Sequence, residues 1–255
     1  RKARMACENA RPYADRLGRV LTNLATAQSG GGPLLLTGRE EVKTVRIIVM
    51  GSDRGLCGGL NANVMKRTRS LIAELKERGR KVQIVTVGRK VRDGLKREFE
   101  IFESHTERND YDFCRELSEQ SIAAFEAGSC DRVVLVYARF VNMLTQKPTT
   151  FQLAPFQVIQ TEPDDADAGV SSSFEYEPNE EQILAELLPQ NVSIQLYQGL
   201  LETAASEQAA RMTAMDNATR NAGDVIKQLN LQFNRTRQAA VTTELTEIIS
   251  GAEAV

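Results

Sequence analysis

The two ends of the chain carry helical patterns of apolar residues. Near the start, apolar residues recur at steps of three and four, which is typical of a heptad seam on one helix face. The members of this seam are Ala10, Tyr13, Leu17, Val20, Leu24 and Ala27. The helix is expected to end before Gly30-Gly31-Gly32-Pro33, and Pro12 is expected to kink it.

The last third of the chain predicts a second, longer helix, from about Gln190 to Ser250. Apolar residues form a seam along this helix as far as Ala240, and the seam then shifts by one residue to Val241, Leu245 and Ile248. A helix of this length spans about 90 Å, too long for a compact domain. It therefore needs a partner, and we expect the N-terminal helix to pair with it in an antiparallel coiled coil. The seam before the shift consists of Met212, Met215, Thr219, Ala222, Ile226, Leu229, Phe233, Thr236 and Ala240.

The middle of the chain alternates between apolar strands and amphipathic helices. Such alternation predicts a mostly parallel sheet covered on both faces. We therefore expect an α/β fold in which a Rossmann-like domain (29-189) is inserted between helices at 1-28 and 190-255. Strands are predicted at 45–50, 82–87, 133–138 and 149–159, and helices at 60–78 and 111–127.

Charge is divided unevenly between the two parts of the chain. Residues 1–100 have a net charge of +12, whereas residues 101–255 have a net charge of −14. The basic stretch from Lys76 to Arg97 lacks interleaved aromatic residues for base stacking, so no nucleic-acid partner is expected. A solvated face, or contact with acidic protein or lipid surfaces, fits this charge better. No apolar run approaches the length of a transmembrane helix.

Few residues in the chain suggest catalytic chemistry. The four cysteines show no metal-ligand spacing and are expected to be buried free thiols. Cys57 precedes a predicted helix, where its thiol pKa could fall, but a Cys-His nucleophile is not expected. His105 is the only histidine, which excludes two-histidine zinc sites, and it is expected in a solvated loop. No cofactor is predicted.

A glycine-rich loop, Gly51–Asn61, follows a predicted strand and precedes a helix. A phosphate could bind at such a position, so an α/β enzyme that binds a phosphorylated ligand is an alternative function. However, the loop lacks the P-loop lysine and the GxGxxG pattern, which favours a structural turn. The residues assigned to this structural loop are Gly51, Asp53, Arg54, Gly55, Gly58 and Gly59.

Five polar residues cluster near the end of the long helix, around the shift in its seam: Arg235, Arg237, Gln238, Thr242 and Glu244. They could form a solvated helix face. Alternatively, the arginines and Gln238 among them could donate hydrogen bonds to acidic loops of a surrounding protein.

Several of these segments resemble the gamma subunit of F-type ATP synthases, over essentially the whole chain. The Gly51–Asn61 loop resembles the signature loop of that family, and its ending favours a bacterial over a mitochondrial member. The initial helical run of the family has no counterpart before Arg1, so the start of the helix is expected to be missing. The other matching segments are Arg11–Ala14, Glu207–Met212, Met215–Gly223, Asn234–Ala240 and Thr243–Gly251.

The resemblance implies a non-catalytic rotor shaft that couples proton transport to ATP synthesis. Its implied partners are the alpha and beta subunits of the catalytic hexamer, the epsilon subunit and the c-subunit ring. The implied location is the cytoplasmic face of the bacterial inner membrane, with the mitochondrial matrix side as the alternative.

Residue roles follow from the same resemblance. Arg237 and Gln238 match a pair that bonds an acidic loop of a beta subunit, and Arg235 is a nearby basic position. Thr242 and Glu244 match positions of rotor–stator coupling. Tyr176 and Glu177 resemble a segment of the foot near the c ring and epsilon.

Overall fold

The computed structural model describes residues 2–27, 32–158 and 180–253. By its internal contacts the chain forms two compact units, Arg1–Arg211 and Met212–Val255. The helices and strands are, in chain order, α1 (Lys2–Ala27), α2 (Leu34–Thr37), β1 (Thr44–Met50), α3 (Leu60–Glu77), β2 (Lys81–Val87), α4 (Arg89–Leu95), β3 (Glu103–His105), α5 (Tyr111–Glu126), β4 (Arg132–Phe140), β5 (Gln146–Ala154) and α6 (Glu180–Glu253).

A single five-stranded sheet, in the order β3-β2-β1-β4-β5, forms the centre of the first unit. The first four of these strands run parallel, and β5 pairs antiparallel with β4. β1 is buried on both faces, which explains why its sequence is apolar apart from Thr44 and Arg46. The predicted mostly parallel sheet is confirmed. The last strand begins and ends earlier than the predicted 149–159.

Helices cover both faces of the sheet. One face, with Ile48 and Met50 of β1, packs in a cluster that includes residues of α1, α5 and the first part of α6. The opposite face, with Ile47 and Val49, packs against α3 and α4. Successive side chains of β1 alternate between these two clusters because they point to opposite sides of the strand.

Helix α1 pairs with the first part of α6 in antiparallel fashion, as predicted. Cys7, near the start of α1, shares a buried cluster with Ala205 and Ala209. Leu21 and Leu24, near its end, share another with residues as early as Leu184. The paired region of α6 thus lies within residues 184–209, before the seam that the sequence assigned to this contact.

The predicted seam of α1 is partly wrong. Tyr13 and Val20 are exposed, whereas Cys7, Ala14 and Leu21 are buried at steps of seven. Both stripes fit a helical period, so the sequence alone could not choose between them. The buried stripe is the one whose small residues allow close packing against α6.

Two prolines lie inside helices. α1 continues through Pro12, and α6 begins at Glu180, ten residues before the predicted start, and continues through Pro189. A proline removes one helical hydrogen bond, but neighbouring packing can offset that loss. Leu188 and Val192, on either side of Pro189, are both buried in the same cluster, which holds the helix together.

The sequence misplaced His105. It ends strand β3 opposite Val87, and its ring packs edge-on against Phe113 at 5.4 Å. The strand is only three residues long and largely polar, so its sequence carries no strand signal. The prediction of a solvated loop is therefore wrong.

Candidate functional site

The Gly51–Asn61 loop joins β1 to α3 and is closed by its own side chains. The Ser52 backbone N–H donates to Asn61 Oδ1 at 3.1 Å, and Asn61 Nδ2 donates to Ser52 Oγ at 2.8 Å. Ser52 Oγ in turn donates to the Arg54 carbonyl at 2.7 Å. The loop therefore has a defined conformation that its own sequence dictates.

Asp53 connects this loop to two neighbouring segments. Its Oδ1 accepts from the backbone N–H of Arg89 at 2.8 Å and from that of Glu107 at 3.3 Å. The Asp53 N–H donates to Glu107 Oε2 at 3.2 Å. These bonds join the carboxyl ends of β1, β2 and β3, because the three segments follow those strands.

Arg211 contacts the loop from helix α6. Its Nη2 donates to the Gly55 carbonyl at 3.4 Å and also bonds Glu207, one turn earlier on the helix. Sequence reasoning missed Glu107, Asn61 and Arg211 as partners of the loop. Two of these contacts span 54 and 156 residues, and no local pattern in the sequence indicates such pairings.

The geometry of the loop supports its structural interpretation over a phosphate cradle. The N–H groups of Ser52 and Asp53, which could bind a phosphate, are bonded to Asn61 and Glu107 instead. Arg54 and Leu56 are exposed at the tip of the loop.

Burial raises the pKa of Glu107 above its usual 4.5, and the charge of Glu207 acts in the same direction. A raised pKa means that the folded state favours the protonated carboxyl, so the stability that Glu107 contributes falls as pH rises above about 4.5. We expect Glu107→Gln to reduce the loss of thermal stability over that range. Unfolding temperatures of the variant and the parent chain, measured from pH 4 upwards, check this prediction.

Glu100→Gln provides a control for that comparison, since Glu100 is an exposed carboxyl outside the loop. Its substitution should leave the dependence on pH unchanged. If the unfolding temperature of Glu107→Gln changed with pH in the same way as that of the parent chain, Glu107 would not be the source of the loss of stability.

In the second unit, the five predicted contact residues are exposed on one segment of α6. One helical residue turns the chain by about 100°, so Arg235, Gln238 and Thr242 share one side of the helix. Arg237 and Glu244 lie on the opposite side. Thr242 Oγ1 donates to the Gln238 carbonyl at 2.8 Å. The five residues therefore lie on one segment of α6 but are divided between two opposite sides of the helix.

An apolar stripe accompanies these polar residues. Ile226, Leu229 and Phe233 are 59%, 58% and 65% exposed, and they lie on the same side of α6 as Arg237 and Glu244. Within the described part of the second unit, nothing covers this stripe. An apolar surface of this kind usually marks an interaction site.

The two residues predicted at the foot, Tyr176 and Glu177, lie outside the described residues. Across 2–27, 32–158 and 180–253, no helix is long and apolar enough to cross a membrane, and no cluster of side chains could hold a metal ion. The four cysteines are buried and free, as predicted. Burial raises the pKa of Cys7 and of Cys114 to about 12, so both thiols stay protonated.

Comparison with known proteins agrees with the resemblance found in the sequence. The family model described as ATP synthase matches residues 1–255. The chain is 46% identical to the ATP synthase gamma chain of Fuscovulum blasticum and 48% identical to that of Granulibacter bethesdensis. Each alignment covers the whole chain and 89% of the relative. These relatives are bacterial, as the ending of the loop suggested.

Solved structures share the fold at lower identity. A chain of the Euglena gracilis mitochondrial ATP synthase OSCP/F1/c-ring structure has a TM-score of 0.62 and 18% identity, covering 100% of this chain and 93% of that chain. A chain of the Tetrahymena thermophila central stalk/c-ring structure has a TM-score of 0.56 and 20% identity, covering 86% and 100%. The sequence matches, which span the full chain, together with this common fold show that the chain belongs to the gamma-chain family of ATP synthases.

Proposed function

We propose that this chain is the non-catalytic rotor of a proton-driven ATP synthase and transmits torque between a c-subunit ring and an alpha/beta hexamer. The observation that carries the proposal is the exposed segment of α6 in the second unit, where apolar and polar stripes lack partners among the described residues. Membership in the gamma-chain family gives this surface its context.

The arrangement of the five polar residues supports insertion into a surrounding protein. Arg235, Gln238 and Thr242 point to one side of α6, and Arg237 and Glu244 point to the other. A helix that lay against one flat partner would need only one such side. Arginine offers a fork of donors that fits a carboxylate. Gln238 lies about 100° round the helix from Arg237, so an acidic loop of a beta subunit that curves around the helix can bond both side chains.

The glycine-rich loop supports a non-catalytic role. The N–H groups of Ser52 and Asp53 are bonded to Asn61 and Glu107, so they are not free to bind a phosphate. We therefore place nucleotide chemistry on the beta subunits of the complex and not on this chain. The alternative of an enzyme with a phosphorylated ligand predicts that the isolated chain binds nucleotide saturably at this loop.

We place the foot of the rotor against the c ring and the epsilon subunit, with Tyr176 and Glu177 among its contacts. The related solved structures are those of a central stalk with a c ring and of an OSCP/F1/c-ring assembly, which agrees with this placement. The bacterial relatives favour the cytoplasmic face of the inner membrane, with the chain peripheral to the bilayer through the complex.

The test is ATP synthesis by the membrane-bound complex with Arg237→Ala or Gln238→Ala. Loss of one charge-assisted hydrogen bond costs about 1.5–3 kcal/mol, so we expect coupled synthesis to fall roughly tenfold for Arg237→Ala. Nucleotide binding by the assembled complex should be unchanged. Proton-driven synthesis in inverted vesicles and nucleotide binding by the same preparations measure both quantities.

Lys227→Ala is the matched control, because Lys227 is exposed on the same helix and pairs only with Asp224 at 3.6 Å. It should leave synthesis near the parent rate. If Arg237→Ala and Gln238→Ala synthesise ATP as fast as Lys227→Ala, the contact assigned to this pair is discarded. Failure of the parent chain to assemble with a hexamer would reject the rotor itself.

A further inference from the structure

Three arginines lie together at the amino-terminal edge of the sheet. Arg132 is the first residue of β4, Arg80 directly precedes β2, and Arg78 caps the end of α3. Arg132 shares its side of β4 with Val134, which packs in the cluster beneath α3. The Arg80 backbone N–H donates to the Leu75 carbonyl at 3.0 Å, which brings the arginine back under the same helix.

Two of these guanidinium groups have buried nitrogens without a partner. Arg132 Nε and Arg80 Nη1 are inaccessible to solvent, and neither donates a hydrogen bond to any described residue. A buried donor without a partner destabilises the folded state, and more so when it is charged. A folded chain does not ordinarily keep two such donors close together unless something else satisfies them.

The charges in this arginine cluster are also uncompensated. Burial, and then the charges of Arg80 and Arg78, lower the pKa of Arg132. One neighbouring carboxylate, that of Asp131, has other partners. Asp131 accepts from the backbone N–H groups of Lys43 and Thr44 and lies 3.8 Å from Arg39.

On α3, Glu74 lies 3.6 Å from Arg67, and thus its carboxylate is engaged away from the cluster. Within the part of the chain that the structure describes, no carboxylate pairs with Arg78, Arg80 or Arg132. Three mutually repelling cations therefore share one edge of the sheet, and two of them present buried donors.

We propose that Arg78, Arg80 and Arg132 form a binding site for a phosphate group. A phosphate carries close to two negative charges and several acceptor oxygens, whereas one carboxylate carries a single charge and two oxygens. It can therefore accept from both buried donors and offset the repulsion among the three cations. Planar guanidinium forks match phosphate oxygens in geometry as well as in charge.

This phosphate can come from a free anion or from a phospholipid headgroup. The first arm of the test titrates the full-length chain with inorganic phosphate by calorimetry, against sodium chloride of equal ionic strength. The second measures co-sedimentation with vesicles of phosphatidylcholine and phosphatidic acid. Binding in the first arm identifies a free anion, and binding only in the second identifies a headgroup.

Arg132→Met keeps the volume of the side chain and removes its charge, so it should weaken binding about tenfold in whichever arm is positive. It should also raise the unfolding temperature in phosphate-free buffer, because a buried donor without a partner is gone. Arg97→Met is the control, since Arg97 is an exposed arginine outside the cluster and carries the same charge.

Absence of binding in both arms overturns the proposal. Equal weakening by Arg97→Met and Arg132→Met also overturns it, since that result indicates attraction to net charge alone. Circular dichroism checks that each variant is folded. Should Arg132→Met not fold, Arg80→Met and Arg132→Lys give the same comparison, the lysine keeping the charge but not the fork. These outcomes do not depend on rotor function.

Discussion

Replacement of Arg11 by alanine is expected to lower the free energy of unfolding by about 3 kcal/mol. Arg11 Nε donates to Glu202 Oε1 at 2.7 Å, and its Nη2 donates to Glu202 Oε2 at 2.9 Å. The Glu202 side chain is only 1% exposed, so the substitution would leave a buried carboxylate without its cation. The expected loss lies at the low end for a buried pair because Arg11 itself remains 28% exposed.

The same carboxylate joins three elements of the first unit. Glu202 Oε2 accepts from the Phe140 backbone N–H at 2.7 Å, and Arg11 donates to the Phe140 carbonyl. The pair thus joins α1, α6 and the end of β4. A loss of about 3 kcal/mol is a large share of the 5–15 kcal/mol that stabilises a typical domain. Urea unfolding of the full chain measures it.

Arg4→Ala is the control for this substitution. Arg4 lies on the same helix, 3.5 Å from Glu8, and both side chains are about half exposed. Such surface pairs contribute little, so we expect a change below about 1 kcal/mol. The double variant Arg11→Met/Glu202→Met should recover part of the loss, because it removes the buried charge along with its partner. A single Arg11→Ala variant as stable as Arg4→Ala would contradict the role given to the pair.

The elements that the sequence predicted correctly are those whose environment is uniform along their length. β1 and β4 are mostly apolar because both faces of the central strands are covered. α4 was missed because it is short and mostly charged, and only Val91 and Leu95 are buried. The early start of α6 was missed because Pro189 normally indicates a boundary, and only tertiary packing overrides it.

The candidate sites also have one part that the sequence predicted and another part that depends on tertiary contacts. The Gly51–Asn61 loop could be located from sequence because its glycines and its Asn61 are local to it. Its contacts with Glu107 and Arg211 could not, since they depend on how distant segments meet. Similarly, the buried stripe of α1 depends on α6, not on the period of the helix. The five polar residues of α6 were recognised by resemblance, and their division into two opposed stripes follows from helix geometry.

Gly88 is the position where a single added methyl group is expected to do most damage. It adopts φ +109° between β2 and α4, a conformation that side-chain-bearing residues rarely adopt. A Cβ at Gly88 would lie 2.4 Å from the Gly51 carbonyl oxygen and 2.7 Å from its carbon. Both are backbone atoms, and the Gly51 N–H is itself bonded to the Val87 carbonyl at 2.9 Å. The loop cannot move away without breaking that bond.

We expect Gly88→Ala to cost about 3–5 kcal/mol, since backbone strain and overpacking each contribute about 1–3 kcal/mol. Gly79→Ala separates the two causes, because Gly79 also has a positive φ, +70°, but nothing lies within 4 Å of its added Cβ. It should cost only about 1–2 kcal/mol. Urea unfolding of both variants gives the comparison. Equal losses would mean that the collision with Gly51 contributes nothing, and that the close approach of the two turns is not what requires glycine at position 88.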